Sequence, residues 1–176
     1  MKVTLRCKLR ALTYGALVSA VMGCSPLSDA SKDLVNKPVP EGRLMLLSGE
    51  DIALRGRSGT NMALLFWATW CPHSRGAIAD YEGLAQRYSG RRRIEFYAVS
   101  LDRNEDLEQL KARIQSQKLA SMIHVFSGND SQDEAFLSLR GGHLPYAVFI
   151  DERGTVRFVG IGVAGLQDYI EDNYGA

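Results

Sequence analysis

The chain has 176 residues, of which 45% are hydrophobic and 23% charged, with 17 glycines, 5 prolines and 3 cysteines. These values fit one globular domain and exclude collagen, a disordered polymer and a disulfide-dense miniprotein. Lys+Arg of 21 against Asp+Glu of 20 leaves a formal charge of +1, which supplies no basic field for phosphate backbones, so nucleic acid is not an expected partner.

Lys2, Arg6, Lys8 and Arg10 open the chain without an acid, and the uncharged, mostly apolar run Ala11 to Met22 follows. This is the pattern of a secretory signal. Twelve residues at 1.5 Å rise cover about 18 Å of a roughly 30 Å hydrocarbon core, too little for a spanning helix. Val21-Met22-Gly23-Cys24 resembles the lipobox of bacterial lipoproteins. That resemblance implies a signal peptide over 1–23, lipidation of Cys24, and a membrane anchor without a spanning helix. Ordinary cleavage after Val18-Ser19-Ala20 is the alternative, and it leaves Cys24 a free thiol. The expected location is the cell envelope, facing the periplasm, and Ser25 after the lipid cysteine fits the outer membrane if the host is Gram-negative. Losing residues 1–23 removes four basic residues and no acid, for a formal charge of −3. With Cys24 lipidated, Cys71 is the only thiol left and no intramolecular disulfide can form. Cysteine in an oxidising compartment is commonly paired, so Cys71 calls for another explanation.

Residues 24–42, rich in Ser, Asp, Lys and Pro, read as a flexible tether to a domain over 43–176. In chain order, short strands are expected at Leu44–Leu47 and Ile52–Leu54 around the turn residues Ser48-Gly49-Glu50-Asp51. The continuous apolar run Met62–Ala68 predicts a central strand covered on both faces. Ile78, Tyr81, Leu84, Ala85 and Tyr88 recur at helical spacing in the next segment. A strand is expected at Ile94–Leu101, a charged amphipathic helix at Asn104–Gln117, a strand at Met122–Phe126 and a short helix at Gln132–Leu139. Gly141-Gly142-His143-Leu144-Pro145 leads into a strand at Tyr146–Ile150, a four-residue turn, a strand at Thr155–Val159 and a last helix carrying Leu166, Tyr169, Ile170 and Tyr174 on one side. The order predicts an α/β sandwich. Its sheet must be mixed, because a four-residue turn joins only antiparallel strands.

FWATWCPHSR, Phe66 to Arg75, resembles the active-site stretch of thioredoxin-fold proteins, most closely the exported TlpA/ResA/DsbE-type thiol-disulfide oxidoreductases. Supporting features follow in order: Trp70-Cys71-Pro72 stepping into a helix, Ser100-Leu101-Asp102 ending a strand, and Leu144-Pro145 leading into VFIDERG. The resemblance covers about residues 43–174 and implies a thioredoxin-like three-layer α/β/α sandwich with a mixed central sheet. It also implies that Pro145 is the cis-proline lying against the active cysteine. Leu144 and His143 would then face a substrate that pairs in strand-like fashion, and Trp70 would shield the site. A trans proline that simply opens a strand is the alternative. The sequence departs from the family twice, with Ser74 in place of the second cysteine of CxxC and Ala79 where a helix-interrupting proline is common.

Between a buried strand and the first turn of a helix, Cys71 meets unpaired N–H groups and the positive end of the helix dipole, both of which favour thiolate. Pro72 fits the first helical turn. A protonated His73 would add positive charge near the sulfur, and Ser74 would donate it a hydrogen bond. Cys71, Ser74, His73 and Pro145 are therefore the candidate catalytic residues, with Trp70, Pro72, Leu144 and His143 on the substrate side. The expected partner is a protein thiol or disulfide. A mixed disulfide on Cys71 needs an external dithiol or low-molecular-weight thiol to resolve it, because Ser74 cannot. The competing reading makes Cys71 an inert buried remnant in a redox-inactive binding or assembly module. A peroxidase-type site wants Thr or Ser at Ala68 and Pro at Leu64, and a copper-carrying Sco-type site wants a second cysteine at Arg75. A zinc site needs about four ligands, against Cys71 with His73, His124 and His143. No metal or other cofactor is expected, and His124 reads as a packed or edge residue.

Overall fold

The structure, a computed structural model, describes residues 29–55, 59–88 and 93–175; residues 1–23, expected to be a signal peptide, and Cys24, expected to be lipidated, lie outside the described residues. A short helix α1 (Asp29–Lys32) precedes the hairpin β1 (Arg43–Met45) and β2 (Asp51–Ala53). Then come β3 (Asn61–Trp67), α2 (Pro72–Tyr88), β4 (Ile94–Ser100), α3 (Leu107–Ser116), β5 (Ile123–Phe126), α4 (Glu134–Ser138), β6 (Tyr146–Ile150), β7 (Val156–Ile161) and α5 (Ala164–Tyr174). The helix expected from Asn104 opens as a 3-10 turn over Asn104–Asp106 before α3 begins. With Ala79 in place of a proline, α2 runs unbroken, since every interior residue can donate its N–H.

Five strands form one sheet in the order β5-β4-β3-β6-β7. β3 runs parallel to β4, and β4 to β5, while β6 is antiparallel to both β3 and β7, so the sheet is mixed as the short turn requires. All seven residues of the central β3 are buried, which explains an apolar run without alternation. Its two faces nonetheless separate by parity. Met62, Leu64 and Phe66 join Leu44, Leu46, Leu54, Phe136 and Leu139 under the hairpin and α4, whereas Ala63, Leu65 and Trp67 pack against α2, α3 and α5. The hairpin also covers the sheet edge. Leu47 N–H donates to His124 O at 2.8 Å and Leu46 bridges Val125, which protects β5 from pairing with another chain. His124 sits half-buried on that strand with Nε2 2.7 Å from Leu119 O.

The stretch read as a tether is a correction: from Ser31 onward it is part of the packed domain. Leu34 is buried with the hairpin-side core and Val35 and Val39 pack against it. Asn36 N–H donates to Val156 O at 2.7 Å and Val39 N–H to Gly154 O at 2.8 Å. The apolar residues Leu34, Val35 and Val39 are too sparse to show a period, and backbone pairing with β7 and its turn, which leaves no mark in composition, holds them.

Burial of phenols sets an alkaline limit on stability. Tyr81 is fully buried, its hydroxyl donating to Ala63 O at 2.6 Å, and burial pushes it well above its ordinary 10.0. Burial likewise pushes Tyr146 and Tyr174 up to about 12. The unfolded chain releases these protons near pH 10 while the folded chain keeps them, so the folded state binds more protons and stability falls with rising pH. Denaturant midpoints should hold steady up to about pH 10 and decline between about pH 10 and 12. A midpoint that stays constant across that window would refute the assignment.

Candidate active site

Cys71 stands between the end of β3 and the first residue of α2. The loop that delivers it is fastened from below. Cys71 N–H donates to Ala68 O at 3.2 Å, Ser74 N–H to Cys71 O at 3.2 Å, and Leu101 N–H to Trp67 O at 2.8 Å. Under the loop the Asp102 side chain is wholly buried. Its carboxylate accepts Thr69 N–H at 3.1 Å, the Thr69 hydroxyl at 2.6 Å and the Ser100 hydroxyl at 2.6 Å. Three donors thus compensate a carboxylate taken out of water. The sequence reading missed Thr69, Ser100 and Asp102 as a unit. The available signal was the polar pair Ser100 and Asp102 at the end of a mostly apolar strand.

The Leu144–Pro145 peptide is cis, as the resemblance implies, and Leu144 O lies 3.9 Å from Cys71 Sγ. Cys71 itself is 7% exposed, and the residue lines a cavity of about 310 Å³ with Trp70, Leu101, Asp130, Ser131, Phe136, Gly142, His143 and Leu144. Beneath this cavity Phe66, Phe136 and Tyr146 form an aromatic cluster with ring centroids 5.4 to 6.3 Å apart. Gly141 is needed there, because a Cβ at that position would stand 2.1 Å from the Phe136 ring. Across the cis peptide a wider groove of about 670 Å³ is lined by His73, Gly76, Ala77, Asp80, His143, Leu144, Pro145, Ile161, Gly162, Val163 and Ala164.

The expected residues therefore converge, with three adjustments. Trp70 is 57% exposed and lines the Cys71 cavity. His73 lies in the wider groove, and His143 is the imidazole that shares a cavity with Cys71. The hydrogen bond expected from Ser74 to the sulfur is absent: the Ser74 hydroxyl is fully buried and has no partner. Ser74 is buried in the first turn of α2, and the Cys71 thiol has the Leu144 carbonyl as its near polar neighbour. Pro72 occupies the first position of α2, where its missing N–H goes unneeded. Among the described residues no group of three or more His, Cys, Asp or Glu side chains could hold a metal ion.

A model of the AhpC/TSA family matches residues 35–159, a span that includes the Cys71 loop, α2 and the cis Leu144–Pro145 peptide. The chain belongs to the AhpC/TSA family. Within this AhpC/TSA family chain, 124 residues are 27% identical to the thioredoxin-like protein YneN of Bacillus subtilis (strain 168), covering 70% of this chain and 69% of YneN. The thioredoxin domain of a thiol-disulfide oxidoreductase from Bacteroides vulgatus superposes with a TM-score of 0.68 at 19% identity, over 80% of this chain and 97% of that one. A thiol-disulfide oxidoreductase from Bacteroides fragilis gives 0.68 at 20% identity, over 77% and 98%. The fold of this AhpC/TSA family chain is thioredoxin-like, a mixed five-stranded sheet between helices.

Proposed function

We propose that the protein is a thiol-disulfide exchange protein of the cell envelope that works through Cys71 alone. The thiolate of Cys71 attacks one sulfur of a partner disulfide. A Cys71–partner S–S bond forms as the partner's own S–S bond breaks, and the departing thiolate takes a proton from water. An external thiolate then attacks the partner's sulfur in the mixed disulfide, forming an S–S bond there and releasing Cys71 as thiolate. The chain stores no electrons of its own, because Ser74 offers no second sulfur. Anchoring through a lipid on Cys24 and export by residues 1–23 belong to the same proposal, and they would hold the domain beside envelope substrates.

The observation that carries this reading is the position of Cys71, at the start of α2, with its sulfur opposite the cis Leu144–Pro145 peptide and the residue lining a cavity. The test is to incubate the folded chain with an aromatic disulfide and locate the adduct by peptide mass spectrometry, with Cys71→Ser as control. An adduct at Cys71 that an added thiol reverses is expected. A second reading, a binding module without redox turnover, is favoured by the 7% exposure of Cys71. That reading wins if Cys71 is labelled only after denaturation.

A further inference from the structure

The surroundings of the thiol are net negative. Asp130 lines the cavity of Cys71. Beyond Trp70 an adjoining hollow of about 440 Å³ adds Glu105, Asp106 and Arg103, and the groove across the cis peptide contains Asp80. Four carboxylates thus ring the site against one guanidinium. That guanidinium, Arg103, lies 3.1 Å from Asp130 and 3.7 Å from Glu105 and offsets one of the four charges, so the surround stays net negative. The nearest cation on α2 does not compensate. At 3.6 residues per turn, His73, Ala77 and Asp80 share one side of α2, and Arg75 falls about 160° around the helix from them. At the opposite end of the sheet the balance reverses, with Arg93, Arg153 and Arg157 lining a hollow alongside Asp151 and Glu152. The hollows around the thiol are thus net acidic, and the one at the far end of the sheet is slightly basic.

We propose that Cys71 selects polypeptide cysteines flanked by Lys or Arg. This deepens the exchange reading and rests on it. The sulfur of such a partner would enter the cavity of Cys71. An aliphatic neighbour of that cysteine would seat against Leu144, Ile161 and Val163, where Ile161 is among the exposed large hydrophobics. Its basic residues would fall within reach of Asp80 on one side and of Asp106, Asp130 and Glu105 on the other. Complementary fields of this kind act mainly on the rate of encounter and are screened by salt.

The test uses two peptides identical except for Lys-Cys-Lys or Glu-Cys-Glu at their centre, each activated as a thiopyridyl disulfide. Attack by Cys71 on the peptide sulfur forms the Cys71–peptide disulfide and expels thiopyridone, whose absorbance reports the rate. Rates for the full chain are corrected by those of Cys71→Ser, and each peptide's intrinsic electrophilicity is calibrated with an uncharged small thiol. At about 0.01 M salt, where the Debye length is about 30 Å, the Lys peptide should react about tenfold faster, and near 1 M, where it is about 3 Å, the ratio should fall to about two. Asp80→Lys with Asp106→Lys, two carboxylates that touch no reacting atom, should lower the low-salt ratio about threefold or more. Equal rates for the two peptides, or a ratio indifferent to salt and to charge reversal, would overturn the selectivity while leaving exchange at Cys71 standing. Absence of reaction with both peptides in the folded chain, with reaction restored by urea, would overturn the exchange reading and the selectivity together.

Discussion

Ser74→Cys should convert the site into a dithiol pair, the new thiol closing a disulfide with Cys71. The Ser74 hydroxyl is fully buried and donates to nothing, so exchanging it for a thiol forfeits no hydrogen bond. It also replaces an unsatisfied polar group, which costs about 1–3 kcal/mol when buried, with a small hydrophobe. Two residues three apart across a helical turn have Cα atoms about 5 Å apart, inside the range that a disulfide spans. Internal resolution replaces a bimolecular step with an intramolecular one, so release of a trapped partner should accelerate on the order of 100-fold or more. The check is twofold: counting thiols by alkylation in denaturant after mild oxidation, and following decay of a Cys71 mixed disulfide without added thiol. Two free thiols after oxidation in the folded variant would show that the side chain at this position points away from the sulfur, and the account of Ser74 as the missing resolving position would fail.

What the sequence revealed and what it withheld divide along the distance over which each feature is determined. The buried β3 and the amphipathic α2 were legible because a run such as Met62–Ala68 or the spacing of Ile78, Tyr81, Leu84 and Ala85 states its own environment. The cis Pro145 and the cysteine at the start of α2 were legible through a motif whose members lie far apart in sequence yet keep their order. Leu34 and Val39 were misjudged because main-chain pairing with β7 and its turn holds their segment, and main-chain pairing is invisible in composition. The exchange of emphasis from His73 to His143 has a similar origin. His73 is two residues from Cys71 in sequence, but its direction is fixed by the helix, whereas His143 reaches the thiol cavity on the loop before the cis peptide. Sequence proximity therefore overstated one imidazole and understated the other. Asp102 was quoted only as the last member of a strand end; its role depends on Thr69 arriving above it, a contact across 33 residues.

That contact carries the second large expected effect. Asp102→Ala should destabilise the fold by about 3–5 kcal/mol, because it strands the Thr69 N–H and two hydroxyls in a site closed to water. The main-chain N–H is the severe loss. A hydroxyl can turn toward another acceptor, while the Thr69 amide is fixed by the loop that carries Cys71. Asp102→Asn should cost less, about 1–3 kcal/mol, since its carbonyl still accepts while its amide group confronts a donor. The effect is not simply additive, because Asp102 itself bears the cost of burying a carboxylate with no cation among its hydrogen-bond partners. Removing the two hydroxyl donors and the acceptor together, as Thr69→Val, Ser100→Ala and Asp102→Leu in one chain, still leaves the main-chain N–H of residue 69 unpaired and should consequently recover part of the stability that Asp102→Ala loses. Urea midpoints read at constant m-value decide the stability, and hydrogen exchange at Thr69 to Cys71 reads the loop directly. If Asp102→Ala shifts stability by less than about 0.5 kcal/mol, within the range of ordinary surface changes, the carboxylate does not hold the Cys71 loop. The cysteine must then be positioned by α2 and the cis peptide alone.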